Sequence, residues 1–428
     1  MADAATLRAH FQASLAESDP EVAEAIGGEL DRQRDQIELI ASENLVSRAV
    51  LEAHGSVMTN KTVEGYPGKR YYGGAQFADR IEALGIARAK KLFGCGFANI
   101  QPHSGSQANQ AVFLALLKPG DTILSMSTNA GGHISHGHPA NQTGKHYAIV
   151  SYGVAKSDER LDYAEAEALA LKHKPRLVIA GGSAYPRRID FPRLRAIADK
   201  AGALFMVDMA HFAGLVATGL HPNPFPHAHI VTTTTYKSLR GARGGVVLTN
   251  DAALAKKIDN AVFPGVQGSV LLHAVAGKTV CLGEALKPAF RDYCQAVVDN
   301  AQALAKAVAG EGLRVVSGGT DTGLMLVDLT AKGVQGQRAS ESLEAAGLNV
   351  NKNTIPFDPR TPEDPSGLRL SSNAGTARGL GADEFGQIGR WIGRVLDGLA
   401  RRPNDNGAAE HEVRAEVQAM CRRFPIYG

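Results

Sequence analysis

The run Ile230-Val231-Thr232-Thr233-Thr234-Thr235-Tyr236-Lys237 sets an amine directly after a series of β-branched residues, and a Gly- and Arg-rich turn with Arg240 and Arg243 follows. β-branched runs favour strands, so Lys237 is expected at the carboxyl end of a strand, where open α/β sheets bind ligands. Most lysines are solvated surface charges. One enclosed at such a strand end, desolvated and close to cations, would lose its proton near neutral pH and could bond covalently to a carbonyl carbon. Upstream, His103-Ser104-Gly105-Ser106-Gln107 offers small residues and two hydroxyls just before a helical pattern that runs to about Leu117. Backbone N–H groups at a helix start can cradle a phosphate, although Ser is also an ordinary helix N-cap. Asp208, in Val207-Asp208-Met209-Ala210-His211, closes another β-rich run. A carboxylate there could hold a pyridine nitrogen protonated and make the ring an electron sink, or it could cap a helix.

These residues need a scaffold that brings strand ends together. From about residue 80 to 250, helical patterns such as Arg80–Phe93 alternate with short β-rich runs at Leu177–Ile179, Leu204–Val207 and Ile230–Val231, which predicts a mostly parallel sheet flanked by helices. After about residue 290 the pattern changes. It gives a long helix, strands near Arg314–Val316 and Leu324–Asp328, a helix from about Ala339, a strand around Arg369 and a closing helix from about Asp383. The first 60 or so residues form a helical arm whose polar helix, about Pro20 to Leu39, needs a partner to pack against. The division is therefore an arm over 1–60, a large α/β domain over 61–290 and a smaller α+β domain over 291–428, with one linker-like stretch at Arg402–Ala409.

Composition narrows the partners. A net charge of +3, with 44% apolar and 21% charged residues, gives no field for capturing nucleic acid. Cys95, Cys281, Cys294 and Cys421 have no metal spacing and read as reduced thiols, so neither a disulfide framework nor a metal site is expected. The N-terminus lacks the features of a secretory signal and no apolar run could span a bilayer, which places the protein in the cytoplasm, away from membranes. A dinucleotide site is excluded because Gly94-Cys95-Gly96 follows a helical run and has Asn99 where a third glycine belongs. A non-catalytic binding protein that has kept an enzyme fold would not need Lys237, Asp208, His133 and Arg369 together.

Ten runs occur in order along the chain: LIASENLVS, EGYPGKRYYGG, QPHSGSQAN, GGHISHG, SAYPRRIDF, VDMAHFAGLVA, TTTTYKSLRGARGG, VFPGVQGS, NKNTIPFDP and GLRLSSNAGTARG. Together they resemble the serine hydroxymethyltransferases. That resemblance implies a fold-type I pyridoxal-phosphate enzyme: a large domain with a mostly parallel seven-stranded sheet flanked by helices, and a smaller α+β C-terminal domain. It implies a homodimer, or a tetramer of dimers, with active sites shared between subunits and an amino acid as substrate. Carried over, Lys237 would hold the cofactor as a Schiff base, Asp208 would pair with the pyridinium and His133 would stack on the ring. His211 and Ser183 would lie on the phenolic oxygen side. Ser104, Gly105 and Ser106 would hold the phosphate, with Thr234 among the cofactor contacts and Gly268 reaching in from the partner chain. Arg369 would bind the substrate carboxylate, while Ser42, Glu64 and Tyr72 line the reacting side chain and Glu64 transfers a proton on the hydroxymethyl oxygen.

Four positions depart from the family pattern. Thr62 replaces a tyrosine, leaving room for an extra substituent on Cα, and Tyr236 replaces the histidine before the Schiff-base lysine; both belong to the reacting centre. Phe357 replaces an asparagine that contacts the pterin, and Thr128 replaces a leucine on the same ring, which speaks against tetrahydrofolate. The reading that follows is transfer of a hydroxymethyl group between α-methylserine and alanine, by an aldolase or a hydroxymethyltransferase. The alternative is the ordinary interconversion of serine and glycine with tetrahydrofolate.

Overall fold

Helix and strand boundaries follow local chemistry. The helix Phe191–Ala201 begins where the Asp190 carboxylate accepts the Arg193 N–H and a proline occupies the first turn; it ends at Gly202 in left-handed backbone (φ 71°). Its buried residues Phe191, Leu194, Ile197 and Ala198 recur at helical spacing and form one face. The strand Leu177–Ala180 is buried at every position, as expected of a parallel strand covered on both faces.

The computed structural model describes residues 3–428. Seven strands form the main sheet: β1 (Phe97–Asn99), β2 (Thr122–Met126), β3 (Ala148–Tyr152), β4 (Leu177–Ala180), β5 (Leu204–Asp208), β6 (Ile230–Thr234) and β7 (Gly245–Thr249). Their spatial order is β1-β7-β6-β5-β4-β2-β3. The strands from β6 to β3 are parallel, and β7 runs antiparallel to both of its neighbours. The fold is thus the α/β architecture, with a mostly parallel seven-stranded sheet, that the sequence implies. A second, antiparallel sheet joins β8 (Arg314–Val315), β9 (Leu324–Asp328), β10 (Asn351–Asn353) and β11 (Gly367–Ser371) in the order β8-β9-β11-β10. Against it pack the helices Pro288–Gly310 and Ala382–Arg401; the latter buries Phe385, Ile388, Ile392, Val395 and Leu399 along a single stripe.

Two expectations need correction. The arm helix stops at Asp35, and the chain then extends, pairing Ile37 and Glu38 in parallel with Leu348 and Asn349. Ile37 and Leu39 are both buried in the core of the second sheet, a tertiary pairing that overrides the helical pattern. The stretch read as a linker is shorter and firmly held. Asn406 is buried and donates to Ser342 Oγ at 2.8 Å and to the Val395 carbonyl at 3.0 Å. A further helix, Gly407–Arg423, follows at once and buries Val413, Val417, Met420 and Cys421. All four cysteines are free and buried. Among the described residues no helix is long and apolar enough to cross a membrane.

Because Leu39 has no exposed surface, Leu39→Ala is expected to cost about 2–5 kcal/mol. Urea unfolding monitored by circular dichroism measures this, and a loss no larger than that of Leu7→Ala, on the exposed arm, would contradict the packing.

Candidate active site

Three adjacent parallel strands deliver the site. β5 ends at Asp208, β6 ends at Thr234, and β4 runs into Gly181-Gly182-Ser183. Gly181 has φ 104°, and a Cβ there would overlap the Asp208 carbonyl oxygen, so the loop after β4 can come this close only as glycine. From the opposite side the helix Gly105–Leu116 points its N-terminus at these strand ends, and a Cβ on Gly105 would sit 2.6 Å from Thr234 Cγ2. The cleft between them has about 390 Å³ of free space. It is lined by Ser104, Gly105, Ser106, His133, Gly182, Asp208, Ala210, His211, Thr234, Tyr236 and Lys237.

Lys237 is only 5% exposed, and its Nζ lies 2.9 Å from His211 Nε2. Burial pushes the amine down to about 8; Arg369 and Arg243 push the same way, and the Asp208 charge only partly opposes them. His211 is driven well below its usual value by burial and by the charge of Lys237. A neutral His211 therefore faces the lysine. At Asp208 burial alone would raise the carboxyl, yet the hydrogen bond from His136 and the charges nearby win and hold it well below the usual carboxylate range. His136 Nε2 lies 2.9 Å from Asp208 Oδ2, Asn109 Nδ2 donates to the same oxygen at 2.9 Å, and the Ala210 N–H donates to Oδ1 at 3.1 Å. His133, pushed down to about 4 by burial and by His136, accepts the Ser135 N–H on Nδ1.

Arg369, on β11, donates from Nε to Asn351 Oδ1 at 3.0 Å and from Nη1 to the Ser183 carbonyl at 2.7 Å. Among the described residues it has no carboxylate partner, although its charge is felt at Lys237, His133 and His211. Tyr236 stacks beneath Arg243, whose Cζ is 4.1 Å from the ring centroid. Ser104 does cap its helix, accepting the Gln107 N–H at 3.1 Å, so the capping reading of that residue also holds. Ser42 lies in a half-buried turn whose Asn44 donates to the Lys237 carbonyl at 2.7 Å.

Thr62, Glu64, Tyr72 and Gly268 form a separate group. None lines the cleft of its own chain. Thr62 and Tyr72 are exposed, and a Cβ on Gly268 would lie 3.6 Å from Glu64 Oε1. Thr128 opens a one-turn helix just after β2, and Phe357 is 52% exposed in left-handed backbone (φ 59°), with Lys156 Nζ 5.6 Å from its ring centroid. Sequence reasoning missed Asn109, His136 and Asn44. His136 stands three residues after His133, and Asn109 faces the sheet one turn into the helix that starts at Gly105, so spacing within quoted motifs could have found both.

The cleft fits pyridoxal phosphate. It holds a buried amine of lowered basicity and an ionised carboxylate, with small residues and a helix N-terminus for a phosphate. Thr234 Oγ1 and His211 Nδ1 are buried with no hydrogen-bond partner among the described residues, as polar atoms that would bond the cofactor should be.

Comparison with known proteins agrees. Residues 15–392 match the family described as serine hydroxymethyltransferase. The chain is 62% identical over 419 residues to a serine hydroxymethyltransferase of Paramagnetospirillum magneticum, covering 98% of each. It is 60% identical over 417 residues to that of Rhodospirillum centenum, covering 97% of each, and 58% identical over 426 residues to that of Methylorubrum extorquens, covering 99% of this chain and 98% of the other. With a buried lysine and an ionised aspartate converging at strand ends, and likeness along almost its whole length, this chain belongs to the serine hydroxymethyltransferase family of pyridoxal-phosphate enzymes.

Proposed function

We propose that the protein transfers a hydroxymethyl group between serine and glycine, with tetrahydrofolate as the one-carbon partner. The observation that carries this reading is Arg369, a guanidinium in reach of the Lys237 cleft that no carboxylate among the described residues satisfies. An α-amino acid would supply both a carboxylate for Arg369 and an amine for the Lys237 cleft. The three relatives above, each a serine hydroxymethyltransferase, support serine as that amino acid. They lend nothing to the α-methylserine reading drawn from the sequence, which becomes the second reading, favoured by the small exposed Thr62 beside Val63 and Glu64 and by Phe357 and Thr128 in place of the family's pterin contacts.

Bound pyridoxal phosphate supplies an electron sink for breaking the substrate Cα–Cβ bond. Lys237 would hold the cofactor, and its free amine loses its proton at mildly alkaline pH because the cleft disfavours the ammonium. Asp208, kept ionised, would hold the ring nitrogen protonated, and His133 would cover the ring. Ser104, Gly105, Ser106 and Thr234 would receive the phosphate. Arg369 fixes the substrate carboxylate and so sets which Cα bond faces the ring. Glu64 and Tyr72 would manage the proton on the hydroxymethyl oxygen, but in this chain they lie outside the cleft. We therefore propose a homodimer in which a second copy brings its own Glu64, Tyr72 and Gly268 to each cleft. Val57 (79% exposed), Tyr71 and Phe77, close in sequence to Glu64 and Tyr72, are exposed apolar side chains that such a partner would cover.

Three measurements check these roles. Steady-state assays with serine and with each enantiomer of 2-methylserine, with and without tetrahydrofolate, are expected to show folate-dependent turnover of serine; faster, folate-independent turnover of 2-methylserine would overturn the proposal. Arg369→Lys keeps the charge but loses the fork, and is expected to raise KM for serine about 10- to 100-fold. An unchanged KM would remove Arg369 from substrate binding. Cofactor uptake by apoprotein, followed by absorbance, should speed up as pH rises and reach half its limiting rate near pH 8, where Lys237 becomes neutral. A midpoint near that of a free lysine, about 10.4, would show that the amine is not desolvated.

A further inference from the structure

The segment Asn99–His103 enters the phosphate cradle, and it is held by more than its own strand. Gln101 is 2% exposed. Its Nε2 donates to Glu82 Oε1 at 2.7 Å and to the Gly65 carbonyl at 2.9 Å, directly after Glu64. Its own carbonyl accepts from Gln267 Nε2 at 3.0 Å, and Gln267 Oε1 accepts the His103 N–H at 3.2 Å. Gln267 immediately precedes Gly268, and His103 immediately precedes Ser104. Three segments are thus caught at the residue beside a site residue: Gly65 next to Glu64, His103 next to Ser104, and Gln267 next to Gly268. Buried Lys278 donates to the flanking Ile100 and Pro102 carbonyls, which leaves the segment little freedom to shift alone. Arg70 closes the ring, reaching Glu82, Asp79 and the same Gly65 carbonyl.

We propose that Gln101 is a positioning residue that couples the two active sites of the dimer, by tying the phosphate cradle of one site to the Glu64 and Gly268 segments that the same chain delivers to the other. This rests on the shared-site dimer proposed above. The cradle serves the chain's own cofactor, while the other two segments serve the partner's. A shift of either end is passed through two glutamine amides, because three of their four hydrogen bonds lead to backbone groups of these segments: the Gly65 and Gln101 carbonyls and the His103 N–H. Gln101→Met keeps the volume and removes only the side-chain amide; Glu82 remains paired with Arg70, and Arg70 still holds Gly65.

Hybrids of two differently tagged chains test this. A chain with Lys237→Ala combined with a chain carrying Glu64→Gln retains one complete site, built from Lys237 of the second chain and Glu64 of the first. An inactive parent hybrid overturns the shared site, and the coupling with it. In an active hybrid, Gln101→Met on the Lys237→Ala chain is expected to lower kcat about tenfold while leaving cofactor affinity, titrated by absorbance, unchanged. Placed instead on the Glu64→Gln chain, it is expected to weaken cofactor affinity and to leave kcat at saturating cofactor unchanged. Equal effects from both placements, or no effect from either, overturn the coupling while the shared site stands. If Gln101→Met chains do not assemble, Gln101→Leu repeats the comparison, and the same pattern of outcomes decides.

Discussion

One cleft must make an amine easier to deprotonate and keep a carboxylate charged. Burial opposes the charged form of both, so the two outcomes depend on what else each group meets. Asp208 meets donors on both oxygens, from His136, Asn109 and the Ala210 backbone, and these outweigh its desolvation. Lys237 meets a neutral imidazole, and the charge of Asp208 offsets only part of its desolvation, to which the fields of Arg369 and Arg243 add. Everything else in the main sheet can be read as the means of placing those two environments at neighbouring strand ends.

Parallel pairing makes that placement inexpensive in backbone. β5 and β6 end side by side because their registers match Asp208 with Thr232, so the carboxylate and the turn that carries the lysine emerge together. Glycines at 105 and 181 let the cradle helix and the β4 loop close in on them. Arg369 comes from the other sheet, where pairing with Leu326 and Asn351 fixes its strand, and its bond to the Ser183 carbonyl joins the two halves of the molecule across the cleft.

Much of this was legible in the sequence, for physical reasons. The strands at 177–180, 204–208 and 230–234 are apolar or β-branched, save for Asp208 at the end of the second, because both faces are covered, and such runs bounded by polar turns are hard to mistake. Lys237, Asp208 and the 103–106 cradle could be placed because strand ends and a helix start have local signatures. What could not be read depends on distant partners. The helical pattern continued through Ile37 and Leu39 because nothing nearby announces a strand at residue 348. The helix Gly407–Arg423 hid behind a stretch rich in Asn, Gly and Pro that Asn406 pins in place through contacts far along the chain. Asn109 and His136 stand inside quoted motifs, where spacing could have marked them as candidates, but their common partner Asp208 emerges only in the folded sheet.

The pairing of Ile37 with Leu348 also has a consequence for synthesis. A ribosome adding about 5–20 residues per second needs roughly 15–60 s to make the intervening chain. Throughout that interval the main sheet can be completed while Ile37 and Leu39 have no native surface to cover them. The nascent protein therefore trails an uncovered apolar segment at its leading end, and for that period it depends on dilution or a chaperone to stay apart from its neighbours.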